Sequence, residues 1–89
     1  MVSRLEAASG SRILVADDDR LVLSTLCAGL TRAGYRVQAV DNGADALCAC
    51  ETDPPDLVVL DHNMPGLTGL DAARRIRARA DIPILILTA

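Results

Sequence analysis

The stretch VVLDHNMPG, residues 58–66, places a carboxylate directly after a run of apolar residues. The apolar run at 58–60 has the character of a buried β-strand, and Pro65 and Gly66 end any strand soon after Asp61. A charged group at the end of a buried strand is unfavourable unless it has a partner or a function. We therefore expect the fold to give Asp61 either a partner for its charge or a role in a functional site.

Composition limits the size and class of the protein. The 89 residues form one domain at most, and the absence of Phe and Trp requires a core of aliphatic side chains. The net charge of −3 argues against direct binding of nucleic acid by this segment. No apolar run approaches the roughly 18 residues that span a membrane. Three cysteines without metal-ligand spacing favour free thiols in a reducing cytoplasm.

Strand and helix patterns alternate along the chain. Between the strands, apolar residues recur with helical spacing and predict three helices, each preceded by a capping residue. This alternation predicts an α/β fold with a parallel sheet and right-handed crossovers. We assign residues 1–11 to a flexible N-terminal lead-in and residues 12–89 to the domain. The four runs that predict strands are 13–16, 35–40, 56–60 and 84–88.

Acidic side chains follow two of the predicted strands. Asp17 and Asp18 come directly after the first strand, and Asp61 comes directly after the third. If these strands are neighbours, three carboxylates crowd one edge of the sheet, where like charges destabilise the fold. A divalent cation resolves this repulsion, and oxygen ligands without His or Cys suit Mg²⁺ or, as an alternative, Mn²⁺. The residues themselves therefore predict a cation site.

Three motifs together resemble the receiver domain of two-component response regulators. They are ILVADDD at 13–19, VVLDHNMPG at 58–66 with Gly69 shortly after it, and ILILTA at 84–89. The resemblance runs from about Ser11 to the last residue. It implies a flavodoxin-like, three-layer α-β-α sandwich with a parallel sheet in the strand order 2-1-3-4.

The resemblance also implies a role for each acidic residue. Asp61 would accept a phosphoryl group from a sensor histidine kinase or a phosphotransfer protein. Asp18 and Asp61 would bind Mg²⁺ directly, Asn63 would bind it through its backbone carbonyl, and Asp17 would act through a water molecule. The chain would then be a regulatory phosphoprotein domain of the bacterial cytoplasm rather than an enzyme.

The end of the chain carries two further expectations and one departure from the family. The resemblance implies that Thr88 supplies a switch hydroxyl and that Ala89 donates a backbone amide to the phosphoryl group. The family's fifth strand, its last two helices and its phosphoryl-contacting lysine are not matched, and the chain contains no Lys. An apolar fourth strand at a sheet edge tends to pair with other chains. We therefore expect either further chain beyond residue 89, with an output domain among it, or a homodimer.

Two other function classes stay open on the sequence. A phosphatase with an Asp nucleophile, such as the haloacid dehalogenase family, carries D-x-D after its first strand, and residues 17–19 fit that pattern. This alternative leaves the motif around Asp61 unexplained. The other alternative is an interaction module that has the receiver fold but is not phosphorylated.

Overall fold

The computed structural model describes residues 10–88, so Ala89 and residues 1–9 of the predicted lead-in lie outside the described residues. Strands and helices alternate in the predicted order. No helix in the described range is long and apolar enough to cross a membrane. The elements are β1 (Arg12–Ala16), α1 (Arg20–Arg32), β2 (Arg36–Val40), α2 (Gly43–Thr52), β3 (Leu57–Asp61), α3 (Gly69–Arg77) and β4 (Ile84–Leu87).

Each helix begins where a side chain satisfies backbone N–H groups that have no partner within the helix. The caps are Asp19 for α1, Asn42 for α2 and Thr68 for α3. The sequence offers both Asp41 and Asn42 as caps for α2, and Asn42 is the one that caps it. Helix α1 ends before Gly34, whose φ of 100° lies in the left-handed region that glycine adopts without steric cost. Local signals therefore set the helix limits.

The four strands form one parallel sheet in the order β2-β1-β3-β4. β1 and β3 are central, and Ile13 pairs with Leu57 while Ala16 pairs with Leu60. This register brings the carboxyl ends of the two central strands level with each other. The predicted flavodoxin-like α-β-α architecture and its strand order are confirmed.

Helices α2 and α3 cover one face of the sheet and enclose the larger core. Leu14, Leu60 and Ile76 are fully buried there. Met64, from the loop between β3 and α3, is also buried in this core. This face is therefore the well-packed side of the molecule, and it anchors the loop that follows Asp61.

Helix α1 alone covers the other face, and it does so incompletely. Ile13, Val15 and Val59 are buried beneath it, and Tyr35 packs against them while remaining partly accessible. No residue of α1 itself is buried. On this side Leu85 of β4 is 53% exposed and Leu21 of α1 is 76% exposed. The described residues thus leave an apolar area uncovered on the α1 side.

We predict that the 89-residue segment, expressed by itself, self-associates through this uncovered area. Leu85→Lys should weaken the association about tenfold, because covering the exposed half of a leucine contributes about 1.4 kcal/mol. Light scattering during size-exclusion chromatography, over a range of concentrations, measures the effect.

The matched control is Leu70→Lys. Leu70 is 41% exposed but lies on α3, on the opposite side of the sheet. This substitution should leave the association unchanged. A wild-type segment that is a folded monomer at every concentration would contradict the prediction.

Candidate metal centre

Three carboxylates converge at the carboxyl edge of the sheet. One carboxylate oxygen from each of Asp17, Asp18 and Asp61 lies within 4.8 Å of the other two. Asp17 and Asp18 directly follow β1, and Asp61 is the last residue of β3. The parallel pairing of the two central strands therefore brings these side chains together, as the sequence predicts. Asp17 is 4% exposed, whereas Asp61 is partly buried and Asp18 is exposed.

Backbone hydrogen bonds hold the turn that carries Asp17 and Asp18. The Asp17 N–H donates to the Val40 carbonyl at 3.2 Å, which joins the turn to the end of β2. The Asp17 carboxylate accepts a hydrogen bond from the Asp19 N–H at 2.9 Å. Asp19 in turn caps α1. The acidic turn is therefore fixed between β2 and α1.

The site opposes ionisation of the buried Asp17 carboxyl. Burial raises its pKa above the ordinary value, and the nearby charges of Asp61, Asp18 and Asp19 raise that pKa further. The hydrogen bond from the Asp19 N–H acts in the opposite direction. Since the folded-state pKa exceeds the unfolded one, ionised Asp17 destabilises the metal-free fold as the pH rises through these two values.

The loop after Asp61 is built around the backbone of His62. The His62 N–H donates to the Leu87 carbonyl at 2.9 Å and so connects β3 to the end of β4. The His62 carbonyl accepts hydrogen bonds from the N–H groups of Met64 at 3.2 Å and Gly69 at 3.0 Å. Gly66 has a φ of 76°, which a side chain would disfavour. The loop therefore has one defined path from β3 to α3.

The three carboxylates line a cleft of about 470 Å³. Thr88, exposed and directly after β4, lies on its wall together with Asn63. The structure thus brings the predicted Asn63 and Thr88 to the carboxylates, whereas Ala89 lies outside the described residues. The full lining consists of Asp17, Asp18, Asp19, Val22, Asp61, Asn63, Leu87 and Thr88.

Sequence reasoning did not identify Val22 and Leu87 as part of this cleft. Val22 stands in the first turn of α1, where its N–H donates to the capping Asp19 side chain at 3.2 Å. Leu87 pairs with Asp61 across the β3–β4 ladder. The sequence places Val22 one helical turn after a capping residue and Leu87 at the end of a predicted strand. These two positions could have indicated that both residues lie near the carboxylates.

The donor set fits a hard divalent cation. It offers three carboxylate oxygens in close proximity, with no His or Cys among them. Oxygen ligands of this kind are those that Mg²⁺ and Mn²⁺ prefer. Binding a cation would also offset the repulsion that raises the pKa of Asp17. Chemistry and electrostatics therefore agree on the class of ion.

Two curated relatives illustrate the similarity of this chain to full regulators. Response regulator MprA of Mycolicibacterium vanbaalenii is 48% identical over 79 residues, which cover 88% of this chain and 34% of that protein. Response regulator MprA of Mycobacterium tuberculosis is 47% identical over 79 residues, with the same 88% and 34% coverage. The chain thus spans about a third of the length of these relatives.

Solved structures show the same fold. The N-terminal domain of a response regulator receiver protein from Methanoculleus marisnigri superposes with a TM-score of 0.84 at 38% identity, over 89% of this chain and 67% of that chain. The chemotaxis protein CheY4 of Vibrio cholerae gives a TM-score of 0.83 at 27% identity, over 88% and 68% of the two chains.

The family model described as the response regulator receiver domain matches residues 13–89. This match includes the segment around Asp61 that the phosphatase alternative left unexplained. It also includes both strand ends that supply the carboxylates and the strand that precedes Thr88. On this match, the chain belongs to the response regulator receiver domain family.

Proposed function

We propose that this domain accepts a phosphoryl group on Asp61 from a phosphohistidine of a sensor histidine kinase or a phosphotransfer protein, with Mg²⁺ as cofactor. The convergence of three carboxylates within 4.8 Å, at the mouth of an open cleft, carries the proposal. Membership of the receiver family supports it. In this role the chain is a regulatory domain of the bacterial cytoplasm rather than an enzyme.

Asp61 is the nucleophile in this proposal. One of its carboxylate oxygens forms a bond to phosphorus while the phosphorus–nitrogen bond of the phosphohistidine breaks, and the imidazole leaves with the electron pair. Asp61 is the last residue of β3, so the strand ladder fixes its backbone while its side chain reaches the cleft. Phosphoryl transfer depends mainly on such positioning and on neutralisation of charge.

The carboxylate cluster supplies the place for that neutralisation. Asp18, Asp61 and the backbone carbonyl of Asn63 would hold Mg²⁺ directly, and the buried Asp17 would act through a water molecule. When bound, the ion offsets the charge of the carboxylates and of the phosphoryl oxygens. Asp17 and Asp18 keep their places because the turn that carries them is bonded to β2 and capped onto α1.

Thr88 is the proposed reporter of phosphorylation. Thr88 lies on the cleft wall directly after β4. Its short side chain would rotate its hydroxyl towards the phosphoryl group on Asp61. The amide of Ala89 would donate to the same phosphoryl group. The relatives are about three times as long as the matched segment, which fits a receiver joined to an output domain.

Acetyl phosphate with Mg²⁺ should add one phosphoryl group to the protein, at Asp61. Asp61→Asn should abolish the reaction, because an amide oxygen is a far weaker nucleophile than a carboxylate. Intact-mass spectrometry followed by peptide mapping, together with loss of the group in hydroxylamine, identifies the acyl phosphate.

Asp71→Asn is the control for this experiment. Asp71 is exposed in the first turn of α3 and lies outside the carboxylate cluster, so its replacement should leave phosphorylation intact. A phosphoryl group found on Thr88 or His62 would refute the mechanism. A wild-type protein that binds Mg²⁺ yet takes up no phosphoryl group would favour the non-phosphorylated interaction module.

Mg²⁺ should stabilise the fold by roughly 2.7 kcal/mol at a concentration one hundred times its dissociation constant. Asp18→Ala should remove most of this effect because it deletes one direct ligand. Urea unfolding with and without Mg²⁺ measures the change. Asp71→Asn again serves as the control and should gain as much stability from Mg²⁺ as the wild type. An equal gain in Asp18→Ala would contradict the assignment of Asp18 as a metal ligand.

Thr88→Ala should still accept the phosphoryl group but lose most of the structural response to it. Amide spectra before and after phosphorylation should show smaller shifts in β4 for this variant than for the wild type. Thr88→Ser keeps the hydroxyl and should restore the response. Shifts of wild-type size in Thr88→Ala would exclude the switch role.

A further inference from the structure

We propose that Gly69 is a positioning residue for the phosphorylation of Asp61. The lack of a side chain at this first residue of α3 lets the helix rest directly against the Asp61–His62 peptide. That contact fixes the backbone from which the Asp61 carboxylate projects. The inference rests on the function proposed above and assigns one residue's part in it.

The space around Gly69 is closed by backbone atoms. A Cβ at this position would lie 2.5 Å from the Asp61 carbonyl oxygen, 2.8 Å from the His62 Cα and 3.0 Å from the Asp61 carbonyl carbon. Backbone atoms cannot rotate away as the end of a side chain can. The φ angle of Gly69 is not positive, so the position requires glycine for its size rather than for its conformational freedom.

Hydrogen bonds hold the backbone of His62, the residue that follows Asp61, from three directions. The Gly69 N–H and the Met64 N–H both donate to the His62 carbonyl, and the His62 N–H donates to the Leu87 carbonyl. Helix α3, the loop and β4 therefore meet at the residue that follows Asp61. A displacement of α3 relative to β3 would directly disturb the bond between the Gly69 N–H and the His62 carbonyl.

An alanine at position 69 must displace this arrangement. Its Cβ and the Asp61 carbonyl oxygen would have to separate by about 0.9 Å to reach the 3.4 Å of ordinary contact. Helix α3 resists moving outwards, because Ala72 and Ile76 are buried in the larger core. Part of the shift therefore falls on the Asp61–His62 peptide. Since a displacement of about 1 Å at a reacting group can cost on the order of 100-fold in rate, a shift of about half that size should cost roughly tenfold.

Gly43 offers a matched control within the same chain. It is the buried first residue of α2, and a Cβ there would lie 2.8 Å from the Leu67 carbonyl oxygen and 3.1 Å from the Leu67 Cβ. Gly43→Ala therefore forces a helix start against the same β3–α3 loop. It does so at Leu67, away from the Asp61 peptide.

The test compares Gly69→Ala, Gly43→Ala and the wild type in the full-length gene product. Urea unfolding gives the stability of each protein, and amide spectra give the folded fraction in a stabilising osmolyte. The rate of phosphorylation per folded molecule is then measured at saturating acetyl phosphate. We expect both variants to lose stability. Gly69→Ala should transfer the group at least about tenfold more slowly, and Gly43→Ala should stay within about threefold of the wild type.

The Mg²⁺-dependent gain in stability provides a readout without phosphorylation. It should shrink in Gly69→Ala and persist in Gly43→Ala, because only the first variant moves the Asp61 carboxylate. If Gly69→Ala does not fold, amide spectra of the wild type decide the question. Mg²⁺ and acetyl phosphate should then shift the Gly69 N–H resonance and leave that of Gly43 in place.

The outcomes separate this inference from the function on which it rests. Equal transfer rates and equal Mg²⁺ effects in the two variants, or an unmoved Gly69 resonance, would overturn the positioning role while wild-type phosphorylation stood. A wild type that takes up no phosphoryl group at all would overturn both.

Discussion

The proximity of three carboxylates at one sheet edge is the constraint on which the rest of this structure depends. Level parallel strands β1 and β3 create that proximity, and burial of Asp17 makes it costly. The fold tolerates this cost because hydrogen bonds from several elements hold the strand ends in place. A site that holds such repulsion in its metal-free form would gain correspondingly on binding the proposed cation.

The two sides of the sheet contribute differently to this site. Asp61 pairs with Leu87, and both belong to the face that only α1 covers. The opposite face, packed by α2 and α3, buries Met64 and receives the start of α3 against the Asp61 backbone. The Asp61 side chain is thus accessible from the cleft, while its backbone is packed from the opposite face of the sheet. If helices covered both faces equally, the Asp61 side chain would be less accessible; if neither face were packed, its backbone would be less well fixed.

The sequence predicted the order of elements, the parallel sheet and the convergence of the carboxylates, because these follow from periodicity and from strand direction. It could not choose between Asp41 and Asn42 as the cap of α2, since both side chains can accept the same hydrogen bond. It also could not show that Asp17 would be the buried carboxylate. The contact of Gly69 with Asp61 was equally hidden, because it arises where two backbones approach in space rather than from any local pattern.

The aliphatic composition of the core has an optical consequence. Tyr35 is the only aromatic residue besides His62, and it packs under α1 at the edge of the sheet opposite to Asp61. Ultraviolet absorption and emission of this 89-residue segment therefore report on how α1 packs against the sheet and carry no signal from the acidic cleft. A spectroscopic label in the cleft would therefore be read without background from a neighbouring aromatic residue of this segment. A Val22→Trp substitution, on the cleft wall, would introduce the sole indole of these 89 residues, and its emission from the segment would describe that wall.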